Sequence, residues 1–195
     1  VFNGAGGSFT MLRCIFSENQ ATPGTSGGGV IYDSTLIATN CIFSGNTAGS
    51  FGGVAFNSTI TLTNCTFSGN HSAQWGGVGY AGTWSGNNNV FWGNTASVGG
   101  TVLDNYTGAL NYSAYQYGGN IPAGTGSIIL YRSPFEGGDD PYYLRLDSRC
   151  INTGTDSGVP NTDIVGVPRP LYGLYDIGAY EYKDIFIDAN SPERY

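Results

Sequence analysis

The chain has 195 residues, of which 11% are charged, and a formal net charge of −7. Lys and Arg together number only 7, which excludes the clustered cationic surface that a nucleic-acid phosphate backbone requires. No run of 18 apolar residues occurs, so no helical span of a membrane is expected. Hydrophobic residues make up 40% and there are 32 glycines, a balance that excludes a disordered chain and favours short strands joined by tight turns.

Along the chain a unit of about 25 residues recurs. Phe16-Ser17-Glu18-Asn19 returns as Phe43-Ser44-Gly45-Asn46, Phe67-Ser68-Gly69-Asn70 and Phe91-Trp92-Gly93-Asn94. Tyr117-Gly118-Gly119-Asn120 reads as a degenerate fifth copy. The five asparagines follow one another at nearly even spacing. Between them Gly27-Gly28-Gly29-Val30 returns as Gly52-Gly53-Val54-Ala55, Gly76-Gly77-Val78-Gly79 and Gly99-Gly100-Thr101-Val102.

Each unit has the period of a strand. Ile60 and Leu62 alternate with Thr59, Thr61 and Thr63, which predicts an apolar inner face and a hydroxyl outer face. After a bend at Asn64, Cys65 and Phe67 are expected inward and Thr66 outward. Phe9, Met11, Cys14 and Phe16, then Leu36, Ala38, Cys41 and Phe43, repeat the pattern. The reading is an all-β, right-handed parallel β-helix with three short strands per coil. Leucine-rich repeats need a Leu framework that is absent, and a propeller blade of roughly 40–45 residues is too long.

The repeated positions predict structural columns. Asn19, Asn46, Asn70, Asn94 and Asn120 are expected to form a hydrogen-bonded ladder in the bends. Phe16, Phe43, Phe67 and Phe91 are expected to stack inside. Cys14, Cys41 and Cys65 read as a column of buried thiols, with a disulfide as the alternative. Their spacing lacks the close pairs of a zinc site, so no metal or cofactor is expected. Trp75, Trp84, Trp92, Tyr106, Tyr112, Tyr115 and Tyr117 fall in turns or irregular coils, as core filling or as sugar-stacking or subunit-contact residues. Sequons occur at Asn57, Asn64, Asn70, Asn105 and Asn111. Asn64 and Asn70 are bend positions, which leaves Asn57, Asn105 and Asn111 as candidate glycosylation sites.

No catalytic constellation is predicted. The single histidine, His71, reads as a solvated turn residue. Asp139-Asp140 and Asn161-Thr162-Asp163 have a superficial similarity to parts of a polygalacturonase site. Glu136 with Asp139 and Asp140 is a charged loop, with weak Ca²⁺ binding as the alternative. Asp163, Arg169 and Asp176 read as a structural salt-bridge set.

The paired Gly-Gly and Phe-x-x-Asn motifs resemble the repeats of the polymorphic membrane protein (autotransporter passenger) family. Farther on, Ser133-Pro134-Phe135, Tyr143-Leu144-Arg145-Leu146 and residues 148–154 follow in order. Gly166-Val167-Pro168-Arg169-Pro170 and Asp176-Ile177-Gly178-Ala179-Tyr180-Glu181-Tyr182 come next. This series resembles the closing segment of β-helix proteins of the choice-of-anchor type. Residues 1–120 are therefore expected to be repeat coils and 121–182 a closing segment that finishes the solenoid. Residues 183–195 are expected to form a tail, with an extra strand or an intersubunit contact. The resemblance implies an extracellular or cell-surface module, structural or adhesive, which self-associates head to tail into a filament or binds surface glycans. A polysaccharide-binding or polysaccharide-degrading β-helix is the alternative. The start at Val1, inside a repeat and without Met, suggests a piece of a longer precursor.

Overall fold

The computed structural model describes residues 2–3, 6–22, 27–120, 124–138, 141–171 and 173–183. The alternation at residues 59–63 does what period two demands: Ile60 and Leu62 are buried, while Thr59 and Thr61 are exposed. The same strand repeats in register above and below. A long sheet stacks Ser8–Leu12, Thr35–Thr39, Ala55–Thr63, Gly79–Asn87 and Thr107–Asn111, all parallel. A middle sheet stacks Ile15–Ser17, Ile42–Ser44, Thr66–Ser68, Val90–Trp92, Ala114–Gln116 and Ile128–Leu130. A short sheet stacks Gln20–Ala21, Thr47–Ala48, His71–Ser72 and Thr95–Ala96. The result is the expected all-β parallel solenoid, about four turns of the repeat unit, with no helix among the described residues. A fifth coil contributes to the long and middle sheets but, among the described residues, not to the short one. The ladder also crosses the expected boundary at residue 120, because Ile128–Leu130 pairs with Ala114–Gln116.

Three corners turn the chain. Between the long and middle sheets Asn40, Asn64 and Asn88 adopt left-handed backbone, with φ of 50, 52 and 59°, a conformation that Asn tolerates. Between the middle and short sheets Gly45, Gly69 and Gly93 take that role, which explains the Gly of the Phe-x-Gly-Asn motif. At the third corner the second Gly of each pair is forced by close approach. A Cβ on Gly53 would lie 2.1 Å from the Gly77 carbonyl oxygen, and one on Gly77 would lie 2.3 Å from that of Thr101. Gly77→Ala is therefore expected to lower stability by about 1–3 kcal/mol through overpacking. An unchanged urea midpoint would refute this close packing.

The interior is apolar from coil to coil. Phe16, Phe43, Phe67, Phe91 and Tyr115 stack at centroid distances of 4.9, 4.7, 4.9 and 5.2 Å. Trp84 and Tyr115 belong to strands and are fully buried, not placed in irregular turns as their sequence context suggests.

Apolar burial does not stop at the solenoid wall. Ile42, Thr66, Val90 and Ala114 alternate outward from the interior, yet each is at most 1% exposed. The stretch from Phe135 to Tyr182 folds back along the side of the middle sheet and covers them. Val90, Ala114 and Leu130 pack with Phe135, Leu144, Cys150 and Ile177, while Ile42 packs with Ala179 and Tyr180. Thr66 thus faces outward as expected but not to water, and its hydroxyl accepts a bond from the Ala179 amide at 3.1 Å. The closing segment is a lateral strap along the coils.

The strap is held to the first corner by the left-handed asparagines. Asn88 exchanges bonds with the backbone of Thr155 at 2.8 and 2.9 Å. Asn64 Nδ2 donates to the Asp176 carbonyl at 3.1 Å, and Asn40 Nδ2 donates to that of Thr162 at 2.7 Å. Arg13 reaches the Thr162 hydroxyl at 2.5 Å. Within the strap, the expected set of Asp163, Arg169 and Asp176 is corrected. The ion partner of Arg169 is Glu181, at 2.7 Å with both side chains buried. Arg169 also donates to the carbonyls of Gly178 (2.8 Å) and Asp176 (3.3 Å). Asp163 and Asp176 accept backbone amides instead, from Val165, Val167 and Glu181 and from Asn152 and Tyr182 respectively. Such charge-assisted bonds supply the partners that buried carboxylates need. Burial, reinforced by the nearby Asp176, lifts the Glu181 carboxyl to about 7, and burial pulls the Arg169 guanidinium down.

Candidate functional site

The asparagine column is built from one repeated exchange. The side-chain oxygen of Asn46 accepts from the Asn19 backbone amide at 3.0 Å and from its Nδ2 at 2.8 Å. Asn70 does the same for Asn46, and Asn94 for Asn70. Each Nδ2 also donates back to a phenylalanine carbonyl, Asn46 to Phe16, Asn70 to Phe43 and Asn94 to Phe67. Asn120 does not extend this column. Phe91 pairs with Tyr115, so the position that follows Asn94 in register is Gly118. Asn120 instead accepts from the Val102 amide and donates to the Leu103 carbonyl.

The thiols form a second column at the first corner. Cys14, Cys41, Cys65 and Cys150 are all free. The Cys14 amide faces the Cys41 sulfur at 3.5 Å. Higher up, Asn89 and Ser113 take the same place, accepting from the Cys65 and Asn89 amides. Burial drives the Cys65 thiol well up and pushes Cys150 up to about 12. Cys41 thus accepts from a backbone amide, while Cys14, Cys41 and Cys65 donate to the carbonyls of Leu12, Thr39 and Thr63.

The remaining expected positions scatter. Asn57 is exposed, but its Nδ2 donates to Asp33 Oδ1 at 3.0 Å. Asn105 is exposed, and Asn111 is half-buried with its Oδ1 accepting from the Thr125 amide. Asn64 and Asn70 are fully buried. His71 lies in a strand of the short sheet, not in a turn, with Nδ1 2.9 Å from the Thr95 hydroxyl. Asp139 and Asp140 lie outside the described residues, as does the tail beyond Lys183. Among the described residues no three His, Cys, Asp or Glu side chains converge to hold a metal. A cavity of about 290 Å³ opens beside Tyr131 and Pro134. Its rim carries the solvent-exposed ion pair of Arg132 with Asp147.

The outer face of the long sheet is a second regular array. Three columns run along it: Ser8, Thr35, Thr59, Thr83 and Thr107; Thr10, Ile37, Thr61, Ser85 and Ala109; and Leu12, Thr39, Thr63, Asn87 and Asn111. None of these residues is ionisable. Hydroxyls on neighbouring coils bond to one another, Thr83 to Thr107 at 3.0 Å and Thr61 to Ser85 at 3.3 Å. Along one margin Tyr32, Phe56 and Tyr80 stack at 5.5 and 5.9 Å, joined by Phe51. Along the other, Asn87 donates to the Ser157 carbonyl of the strap at 3.3 Å. The sequence shows the Thr alternation but gives no sign of these margins.

The family model of the Chlamydia polymorphic membrane protein repeat matches residues 13–34 and 64–82. Both stretches begin at the first corner and pass through a Phe-x-x-Asn motif to a Gly-rich corner. The chain thus carries repeats of the polymorphic membrane protein type, and they build a β-solenoid. The match does not extend to the strap. No curated protein and no solved structure matches the chain. No helix among the described residues is long and apolar enough to cross a membrane.

Proposed function

We propose that this solenoid is a structural or adhesive module displayed on the outside of a cell. The match of the Chlamydia polymorphic membrane protein repeat to residues 13–34 and 64–82 carries the reading. The architecture suits the task. A rigid ladder of short parallel strands presents broad faces without depending on a bound group. Protease treatment of intact cells of the source organism tests it. The protein is expected to be cleaved without permeabilisation, and cleavage only after lysis would overturn the assignment.

We also propose that copies of the module self-associate head to tail, because a parallel solenoid grows by stacking coil on coil and an unclosed head-to-tail contact gives a filament. Elongated particles are expected in electron micrographs, with a mass by light scattering that rises with concentration. A mass fixed at the monomer value at high concentration would rule out this mode.

A further inference from the structure

We propose that the outer face of the long sheet binds a neutral, linear polysaccharide lying along the solenoid axis, one sugar residue per coil. The proposal deepens the surface reading and rests on it.

The chemistry of the face selects the ligand. Ten of its fifteen positions are Ser or Thr and two are Asn. Each hydroxyl both donates and accepts, and each amide does the same. A glycan chain offers the matching set on every residue. The face has no cation to hold a carboxylate or sulfate, and the chain as a whole carries −7. An acidic polymer would lose its hydration there without an ionic partner. A neutral one meets no such penalty.

The geometry selects a linear chain. Coils repeat at ~4.8 Å, the strand spacing, which is close to the advance of one pyranose residue in an extended polymer. In the column of Ser8, Thr35, Thr59, Thr83 and Thr107 a hydroxyl therefore returns opposite each sugar. The array is set before binding: the Thr83–Thr107 and Thr61–Ser85 bonds orient hydroxyls along the columns, and Ile60, Leu62, Trp84 and Leu110 anchor the strands from beneath. Little freedom is left to lose on association. The ridge of Tyr32, Phe56 and Tyr80 and the strap at Ser157 bound the face on its two long sides.

A second copy of the chain fits this face less well. Only Leu12, Ile37 and Ala109 are apolar among its fifteen positions, whereas the buried centre of a protein interface is predominantly apolar.

Co-sedimentation with insoluble glucan, chitin and mannan, and affinity electrophoresis in soluble neutral glucan, pectate and alginate, test the proposal. The protein is expected to be retained by at least one neutral polymer and not by pectate or alginate. Thr59→Glu with Thr107→Glu, two coils apart, should weaken retention at least about ten-fold, equivalent to about 1.4 kcal/mol, with the urea midpoint preserved. Gln74→Glu, exposed and off the face, should leave it unchanged. Three outcomes of the retention assays would overturn the proposal: no retention on any neutral polymer, retention indifferent to the double variant, or preference for the acidic polymers. A double variant that altered the sedimentation coefficient without glycan would assign the face to a second copy and overturn it equally. Protease accessibility on intact cells reads the surface assignment separately, so either idea can fail alone.

Discussion

Replacing Asn70 with Leu is expected to lower the unfolding free energy by about 2–4 kcal/mol, from one buried amide left unpaired and the further hydrogen bonds lost with it. The side chain sits at the centre of its column with no solvent exposure. Its oxygen accepts from both the backbone amide and the Nδ2 of Asn46, and its own Nδ2 donates to the Phe43 carbonyl and to Asn94. Leu fills a similar volume but leaves the Asn46 amide buried and unpaired, and the Phe43 carbonyl keeps its ladder bond but loses its second donor. A stranded group costs about 1–3 kcal/mol, and the Asn46 side chain loses an acceptor as well. Asn120→Leu, off the column, should cost markedly less. Urea denaturation of both variants is the measurement. A loss for Asn70→Leu below about 0.5 kcal/mol, smaller than one ordinary hydrogen bond contributes, would mean that the column does not hold the coils together.

The second large effect is expected in the strap. Arg169→Met should cost about 3–5 kcal/mol, because it leaves Glu181 as a buried carboxylate without its cation. It also removes one of the two donors on the carbonyls of Asp176 and Gly178, leaving each with Asn64 Nδ2. Removing both charges in Arg169→Met with Glu181→Leu should recover part of the loss, since a buried pair is often replaceable by apolar side chains of similar size. Hydrogen exchange locates the damage. The amides of Ile164 and Ala179, which bond to the Ala179 carbonyl and the Thr66 hydroxyl, should lose protection before those of the inner strands. Equal protection in Arg169→Met and the native chain would show that the pair does not hold the strap.

The parts of the molecule legible in the sequence are those that repeat. A solenoid maps sequence period directly onto stacking, so Phe16, Phe43 and Phe67 and the intervening glycines reveal both fold and register. The reading slips where a coil departs from the average. Asn120 matches the motif by letter, but the inward aromatic of that coil is Tyr115, and Gly118 rather than an asparagine follows in register. Trp84 occupies a position held by Leu36 and Ile60 in other coils. It fits because Gly79 leaves room, where a Cβ would lie 2.1 Å from the indole. Such compensation between coils has no periodic trace. The strap is the least legible element. Asn40, Asn64 and Asn88 recur at coil spacing, yet their partners lie 122, 112 and 67 residues away. His71 reads as a turn residue in the sequence because the two-residue strand that carries it is too short to show alternation.

The strap also imposes an order of events on the chain. Contacts between successive coils are local, so a solenoid of this kind can grow from one end and fray from the same end. The bonds from Arg13, Asn40 and Asn64 to the strap span 149, 122 and 112 residues. Contacts of that separation form late. A chain emerging from its N terminus lays its rack of coils first and meets the strap last, with Ile42, Val90 and Ala114 open until then. Only a rack already in line offers the corner asparagines together, so closure of the strap seals a finished assembly and ties coils that otherwise touch only their neighbours into one cooperative unit.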